Sequence, residues 1–240
     1  MRECSEVMGE TEMAGLKIIL SGATGMVGQG VLRECLVDGG VESVLAIGRT
    51  PTGKRDAKLR EIALRDFSEF ANLGTEIAGY DACFFCLGIS SVGTSEAEYR
   101  AVTYDLTMSV AETMAKFNPR MTFIYVSGTG TDSSERGRTM WARVKGQTEN
   151  ALLRLPFKAA YMFRPGYIHP LHGVKPKVKW IGAIYAVVGP VYPVLKAIFR
   201  KQMLTTECVG KAMIAVARDG ASKRVLESAD INRICEGKPL

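Results

Sequence analysis

Three glycines carry the clearest chemistry in this chain. They stand in the stretch Ser21-Gly22-Ala23-Thr24-Gly25-Met26-Val27-Gly28, directly after the apolar run Leu16–Ser21. The G-x-x-G-x-x-G spacing suits the binding of a diphosphate. Gly22 permits a sharp strand-to-helix turn, Gly25 leaves the main chain bare for a phosphate to approach, and Gly28 lets the helix lie close on the strand. Unpaired amides and the positive end of the helix dipole then attract the anion. Two other spacings invite a reading. Cys83-Phe84-Phe85-Cys86 is a C-x-x-C, but its apolar surroundings and the lack of a second pair make it strand filler rather than a redox or zinc site. His169 and His172 make an H-x-x-H among prolines with no carboxylate between them, so no metal is expected.

The elements around these residues alternate. Strands are expected at Leu16–Ser21, Ser43–Gly48, Glu61–Leu64, Ala82–Leu87, Met121–Ser127, Ala159–Phe163 and Arg224–Glu227. Helices are expected at Met26–Asp38, Phe67–Asn72, Ser95–Phe117, Thr139–Leu155 and Thr205–Arg218. Strands that are apolar along their whole length suit a parallel sheet covered on both faces. The succession predicts an α/β fold: a Rossmann-type doubly wound parallel sheet with helices on both faces and a small C-terminal helical lid. Residues 15–240 form one such domain and residues 1–14 a loose tail, with 170–204 as an insertion.

The motif and its setting resemble the short-chain dehydrogenase/reductase superfamily, in particular its atypical and extended members of the epimerase/dehydratase kind. The resemblance covers roughly residues 16–170. GATGMVG is similar to the family's glycine signature, Cys86-Leu87-Gly88 falls at the loop after strand four that contacts cofactor, and Arg164-Pro165-Gly166 resembles the turn that flanks the nicotinamide. Asp66 and Phe67 match the position that contacts the adenine, although Asp66 could equally cap a helix. The resemblance implies a nicotinamide dinucleotide held by Gly22, Ala23, Thr24, Gly25, Met26, Val27 and Gly28. The residue at the tip of strand two selects between dinucleotides: an acid binds the ribose hydroxyls of NAD, and an arginine pairs with the 2′-phosphate of NADP. Arg49 stands there with no acid, which favours NADPH and leaves NAD compatible. Lys54 and Arg55 follow in what reads as a solvated loop.

Family reductases use a Tyr and a Lys four residues later, with a Ser or Thr after strand five polarising the substrate oxygen. Lys145 matches the Lys, and Ser127 and Thr129 are the hydroxyl candidates. The Tyr position holds Trp141, whose indole N–H donates a hydrogen bond but cannot act as a proton-transfer acid near neutral pH. Tyr167 is the substitute candidate. Two functions follow: an NADPH-dependent oxidoreductase acting on a small or apolar carbonyl compound, or an inactive dinucleotide-binding sensor.

The apolar segment Trp180–Phe199 carries one charge, Lys196, and has basic flanks. It reads as a substrate lid, as an interfacial patch touching membrane, or as a transmembrane helix, with Pro190, Pro193 and Lys196 against the last. The 31 basic and 25 acidic side chains leave a net charge of +6, too small and scattered for nucleic-acid binding. The six cysteines read as reduced thiols, and residues 1–14 contain no apolar leader, so a cytoplasmic location is expected. The long helices Ser95–Phe117 and Thr139–Leu155 are those that pair subunits in the family, which implies a homodimer.

Overall fold

The strands do form one parallel sheet. The structure, a computed structural model, describes residues 15–174, 203–238 and 240. Its main sheet has seven strands: β1 (Leu16–Ser21), β2 (Val41–Gly48), β3 (Leu59–Ala63), β4 (Ala82–Phe85), β5 (Thr122–Val126), β6 (Ala159–Arg164) and β9 (Val225–Glu227). Their order is β3-β2-β1-β4-β5-β6-β9, and every pairing is parallel. The chain therefore reverses its winding between β1 and β4. A crevice opens at such a switch point, beyond the carboxyl ends of the strands.

Alternation along the strands builds two cores. Ile18 and Leu20 of β1 face a layer containing Val31 and Leu32 of α1 (Met26–Val37) and Val209 and Met213 of α5 (Thr206–Asp219). Ile19 and Leu45 face the opposite layer, with Val110, Ala111 and Met114 of α3 (Leu106–Phe117). Side chains with a period of two thus serve helices on both sides.

Several boundaries differ from the expectation for identifiable reasons. β2 begins at Val41, because that buried side chain pairs with Leu16 while Glu42 turns outward. β4 stops at Phe85, so Cys86 and Leu87 belong to the loop beyond it. The helix over Ser95–Phe117 is capped by Ser95 and Glu98 reciprocally, but it is not one regular helix. It runs as α2 (Glu96–Arg100), a π turn (Ala101–Asp105) and α3. The expected short helix Phe67–Asn72 is a longer run of 3-10 turns, Phe67–Ile77, broken at Gly74 with φ 50°. α4 (Met140–Leu152) is shorter than expected, with Leu153 as its C-cap.

Three elements escape the sequence pattern. β7 (Tyr167–His169) and β8 (Met203–Thr205) make a separate two-stranded ribbon, and α6 (Ser228–Cys235) follows β9. Strands of three residues leave no periodicity to read. The tail at residues 1–14 and the apolar segment Trp180–Phe199 lie outside the described residues, and with them the lid and membrane readings. Among the described residues no helix is long and apolar enough to cross a membrane.

Candidate functional site

The carboxyl ends of β1, β4, β5 and β6 share one edge of the sheet, and each delivers one of the expected loops there. The glycine corner after β1 is built by close approach. Gly22 has φ +83°, and a Cβ on it would stand 2.7 Å from the Cys86 carbonyl group. A Cβ on Gly28 would run into the Gly22 carbonyl oxygen and lie 2.7 Å from its carbon. The Cys86 amide donates to the Ser21 carbonyl at 2.9 Å, which ties the β4 loop to the corner. Gly25 caps α1 with extended backbone and no side-chain hydrogen bond, so the first amides of α1 present their N–H groups without a side-chain acceptor. The donors and the bare surface fit a diphosphate.

Beside this corner lie two adjoining hollows. One, of about 100 Å³, is lined by Gly22, Ala23, Thr24, Arg49 and Phe67. The other, of about 290 Å³, is lined by Arg49, Arg65, Asp66, Phe67, Leu87 and Gly88. Arg49 and Phe67 border both. Phe67 is buried and offers a ring wall for a base, while Arg49 and Arg65 are exposed cations at the rim. Arg65 was not among the expected residues; an exposed arginine next to Asp66 gives no periodic or motif signal. Glu61 also lines the first hollow, where its carboxylate accepts from the Thr52 amide at 2.7 Å. Lys54 and Arg55 are exposed and line neither hollow.

At the ends of β5 and β6 the geometry sorts the catalytic candidates. Ser127 is buried, and its hydroxyl donates inward to Glu149 Oε1 at 2.5 Å, with the Phe163 carbonyl oxygen at 3.1 Å. Thr129 is exposed; its hydroxyl donates to the Arg164 carbonyl at 3.0 Å, and its amide to Pro165 at 3.0 Å. Of the two hydroxyls, Thr129 is the one on the solvent side. Gly166 donates its amide to Ser228 Oγ at 2.8 Å, so the Arg164-Pro165-Gly166 turn is clamped from both sides. Tyr167, half-buried on β7, lies near His169 with the two rings tilted at 31° and their centroids 6.5 Å apart.

Arg164 itself does not face the crevice. Its guanidinium binds both oxygens of Glu149, reaches Glu227 at 3.3 Å and donates to Ser133 Oγ at 2.5 Å. Glu149 is 1% exposed and Arg164 9%, so the pair belongs to the interior. The sequence left Glu149 unread. Its signal was its place four residues after Lys145, which stacks the two on one helical face.

Lys145 on α4 donates from Nζ to the Ser127 carbonyl oxygen at 2.6 Å. Burial lowers its pKa to about 8, against the opposing pull of the Glu149 carboxylate. In the unfolded chain a lysine titrates near ~10.4. Between these values the unfolded chain binds more protons than the folded one, so this group's contribution to stability rises with pH from about 8 upward. Lys145→Met is therefore expected to be more stable than the parent below pH 8, with the advantage shrinking toward pH 10. Urea unfolding of both proteins across that range measures it. Trp141 sits one turn earlier, half-buried, with Cη2 3.4 Å from the place of a Gly130 Cβ; Gly130 leaves room for the indole.

Among the described residues one set of metal-capable side chains converges: Glu34, His172 and Glu207, with ligand atoms within 4.8 Å of one another. The Glu34 carboxylate already pairs with Arg33, and Lys211 meets Glu207 at 2.5 Å. Hydrogen bonds from Lys211 and His172 hold the Glu207 carboxyl at about 2. The set is charge-balanced by its own cations.

A parallel sheet of this order, with a glycine corner at its switch point, defines a Rossmann-type dinucleotide-binding protein. The model of the NAD dependent epimerase/dehydratase family matches residues 18–138, and the chain belongs to that family. It is 24% identical over 225 residues to "Protein fmp52-2, mitochondrial" of Aspergillus oryzae, covering 89% of this chain and 94% of that protein. It is 26% identical over 159 residues to "Protein HTATIP2" of Rattus norvegicus, 65% of this chain and 64% of that one. The Bordetella bronchiseptica enzyme WbmF, solved in complex with NAD+, superposes with a TM-score of 0.65 at 15% identity, covering 95% of this chain and 79% of WbmF. The mitochondrial name of the Aspergillus relative recurs among FMP52 proteins of other fungi and overturns the cytoplasmic expectation. That expectation rested on a missing apolar leader, a feature of secretory signals; organellar transit peptides are amphipathic and basic instead.

Proposed function

We propose that this chain is an oxidoreductase that prefers NADP to NAD and acts on a small or apolar carbonyl compound. The observation that carries the reading is the glycine corner opening onto two hollows rimmed by Arg49 and Arg65, with no acid at the end of β2. Two guanidinium groups attract a 2′-phosphate, and the corner amides attract the diphosphate. When bound, the nicotinamide would supply or accept a hydride at the substrate carbon. Thr129 carries an exposed hydroxyl beside the β5 loop, which would orient the substrate oxygen on turning from the Arg164 carbonyl it now donates to. Lys145 is the group suited to move a proton, since its amine gives it up at about 8 and an indole cannot. Trp141 then serves as wall, and Tyr167 borders the turn after β6.

Calorimetric titration with NADPH and NADH tests the cofactor preference. Arg49→Ser is expected to weaken NADPH binding by roughly tenfold, about 1.4 kcal/mol, and to leave NADH binding nearly unchanged. The effect is modest because Arg49 is exposed and screened by solvent. Equal loss for both dinucleotides would remove the case for NADP.

A second reading has an observation of its own. With Trp141 packed on Gly130 and the Ser127 hydroxyl turned inward, two of the three usual catalytic positions offer no reactive group to the crevice. This favours a sensor that binds the dinucleotide without turning it over. Incubation with NADPH and a panel of aldehydes, ketones and quinones separates the two. Consumption of reduced nicotinamide that disappears in Lys145→Met supports the enzyme; binding without consumption supports the sensor.

A further inference from the structure

The amino ends of the strands frame a hollow of their own, opposite the glycine corner. β1 starts at Leu16 and ends at Ser21, so its two ends stand roughly 17 Å apart. The hollow lies where β1, β4, β5 and β6 begin, and its volume of about 400 Å³ suits a small molecule. Three basic side chains line it, Arg120, Lys158 and Arg218, against one acid, Asp81. Leu16 and Ala217 supply an apolar flank.

Two of the three cations are unspent. Arg120 and Lys158 have no ion pair or hydrogen bond from their side chains among the described residues. Arg218 shares its charge with Asp38 at 3.3 Å and with the carbonyl end of α5, whose last turn it occupies. The Asp81 carboxylate accepts from the Lys17 amide at 2.9 Å, which holds it toward β1. The hollow also contains an unused donor. Thr122 is 4% exposed, and its hydroxyl has no hydrogen-bond partner among the described residues. Ile124, two residues on, belongs to the core layer of α1 and α5, and Phe123 between them to the opposite layer. Alternation therefore aims the Thr122 side chain at the α5 side, where Ala217 and Arg218 border the hollow. A hydroxyl buried without a partner carries a desolvation cost that a ligand oxygen would offset.

We infer that this hollow is an anion site for a small phosphate monoester, separate from the diphosphate corner. Near neutral pH such a group carries almost two negative charges and three acceptor oxygens. Arg120 meets it with a fork of N–H groups and Lys158 with a point charge. The Thr122 hydroxyl donates to a further oxygen, and Leu16 and Ala217 take the carbon part of the ester. Asp81 opposes any anion, and the exposed cations are screened by salt, so binding weakens as ionic strength rises.

The test is amide NMR of the isotope-labelled full chain, titrated at low ionic strength with phenyl phosphate and separately with inorganic phosphate. Expected are saturable shifts centred on Leu16, Asp81, Thr122 and Lys158, with the ester bound several-fold tighter than the free ion. Arg120→Gln is expected to weaken the ester roughly tenfold, and Thr122→Val, which keeps the side-chain shape, roughly threefold. Arg120 is exposed and unpaired, so its replacement leaves the core untouched and decides the matter even if the valine variant fails to fold. The inference is overturned if the shifts centre on Gly22–Gly28, or if they stay linear and scatter over the basic surface. It is equally overturned if Arg120→Gln binds the ester as the parent does. Equal affinity for the ester and the free ion would overturn the assignment of an ester.

Discussion

Gly28→Ala is expected to lower affinity for NADPH by roughly a hundredfold, about 2.7 kcal/mol. The new methyl group would collide with the Gly22 carbonyl, and both atoms it meets are main chain rather than the end of a flexible side chain. Relief requires α1 to lift away from β1. That movement opens the corner whose amides must converge on one diphosphate. Overpacking also costs about 1–3 kcal/mol of stability, so unfolding should be followed alongside binding. Gly25→Ala supplies the comparison, because its Cβ would stand 3.3 Å from the same oxygen and a small adjustment accommodates it. Calorimetry on the two variants should rank them with Gly28→Ala far the weaker. Equal affinity in Gly28→Ala and the parent would show that the dinucleotide does not rest on this corner.

The second large effect is expected at Glu149. Removing its carboxylate in Glu149→Ala leaves Arg164 in the interior with only Glu227, whose side chain is 47% exposed, as counterion. A buried charge stripped of its partner costs about 3–5 kcal/mol, measurable by urea unfolding at neutral pH. Glu149→Gln keeps the shape and one acceptor and should lose less. The two variants also report on Lys145. The Glu149 carboxylate supports the lysine's charge, so without it the ammonium gives up its proton at a lower pH. Any pH dependence of dinucleotide binding that runs through Lys145 should shift downward in both variants. A stability loss with an unmoved pH profile would reduce Glu149 to a structural role.

The glycine corner and the sheet were legible because they obey local rules. LKIILS is apolar throughout, GATGMVG has one physical use after such a strand, and Gly39-Gly40 punctuates the helix. The interior of the site was less legible. Ser127 and Thr129 look equivalent along the chain, and two residues apart a strand would put them on one face; β5 ends at Val126, and the loop beyond it sends one inward to Glu149 and keeps the other exposed. Arg164 resembles a cofactor-flanking residue, yet its partners Glu149, Ser133 and Glu227 are 15, 31 and 63 residues away and meet only in the fold. The π turn at Ala101–Asp105 leaves the apolar pattern of its helix almost unchanged, so periodicity passes over it. β7 and β8 are too short to register and are joined across 33 intervening residues, 170–202.

The contact between α1 and α5 settles how the two helices sit against each other. A Cβ on Gly30 would collide with Thr206, and one on Gly210 would come within 2.7 Å of the Glu34 side chain. Each helix thus seats a bare notch against a protruding residue of the other, at two places a turn or more apart. Such meshing forbids sliding and rolling alike. α1, which starts at the glycine corner, and α5, which starts at Thr206, are thereby set in one fixed register against each other.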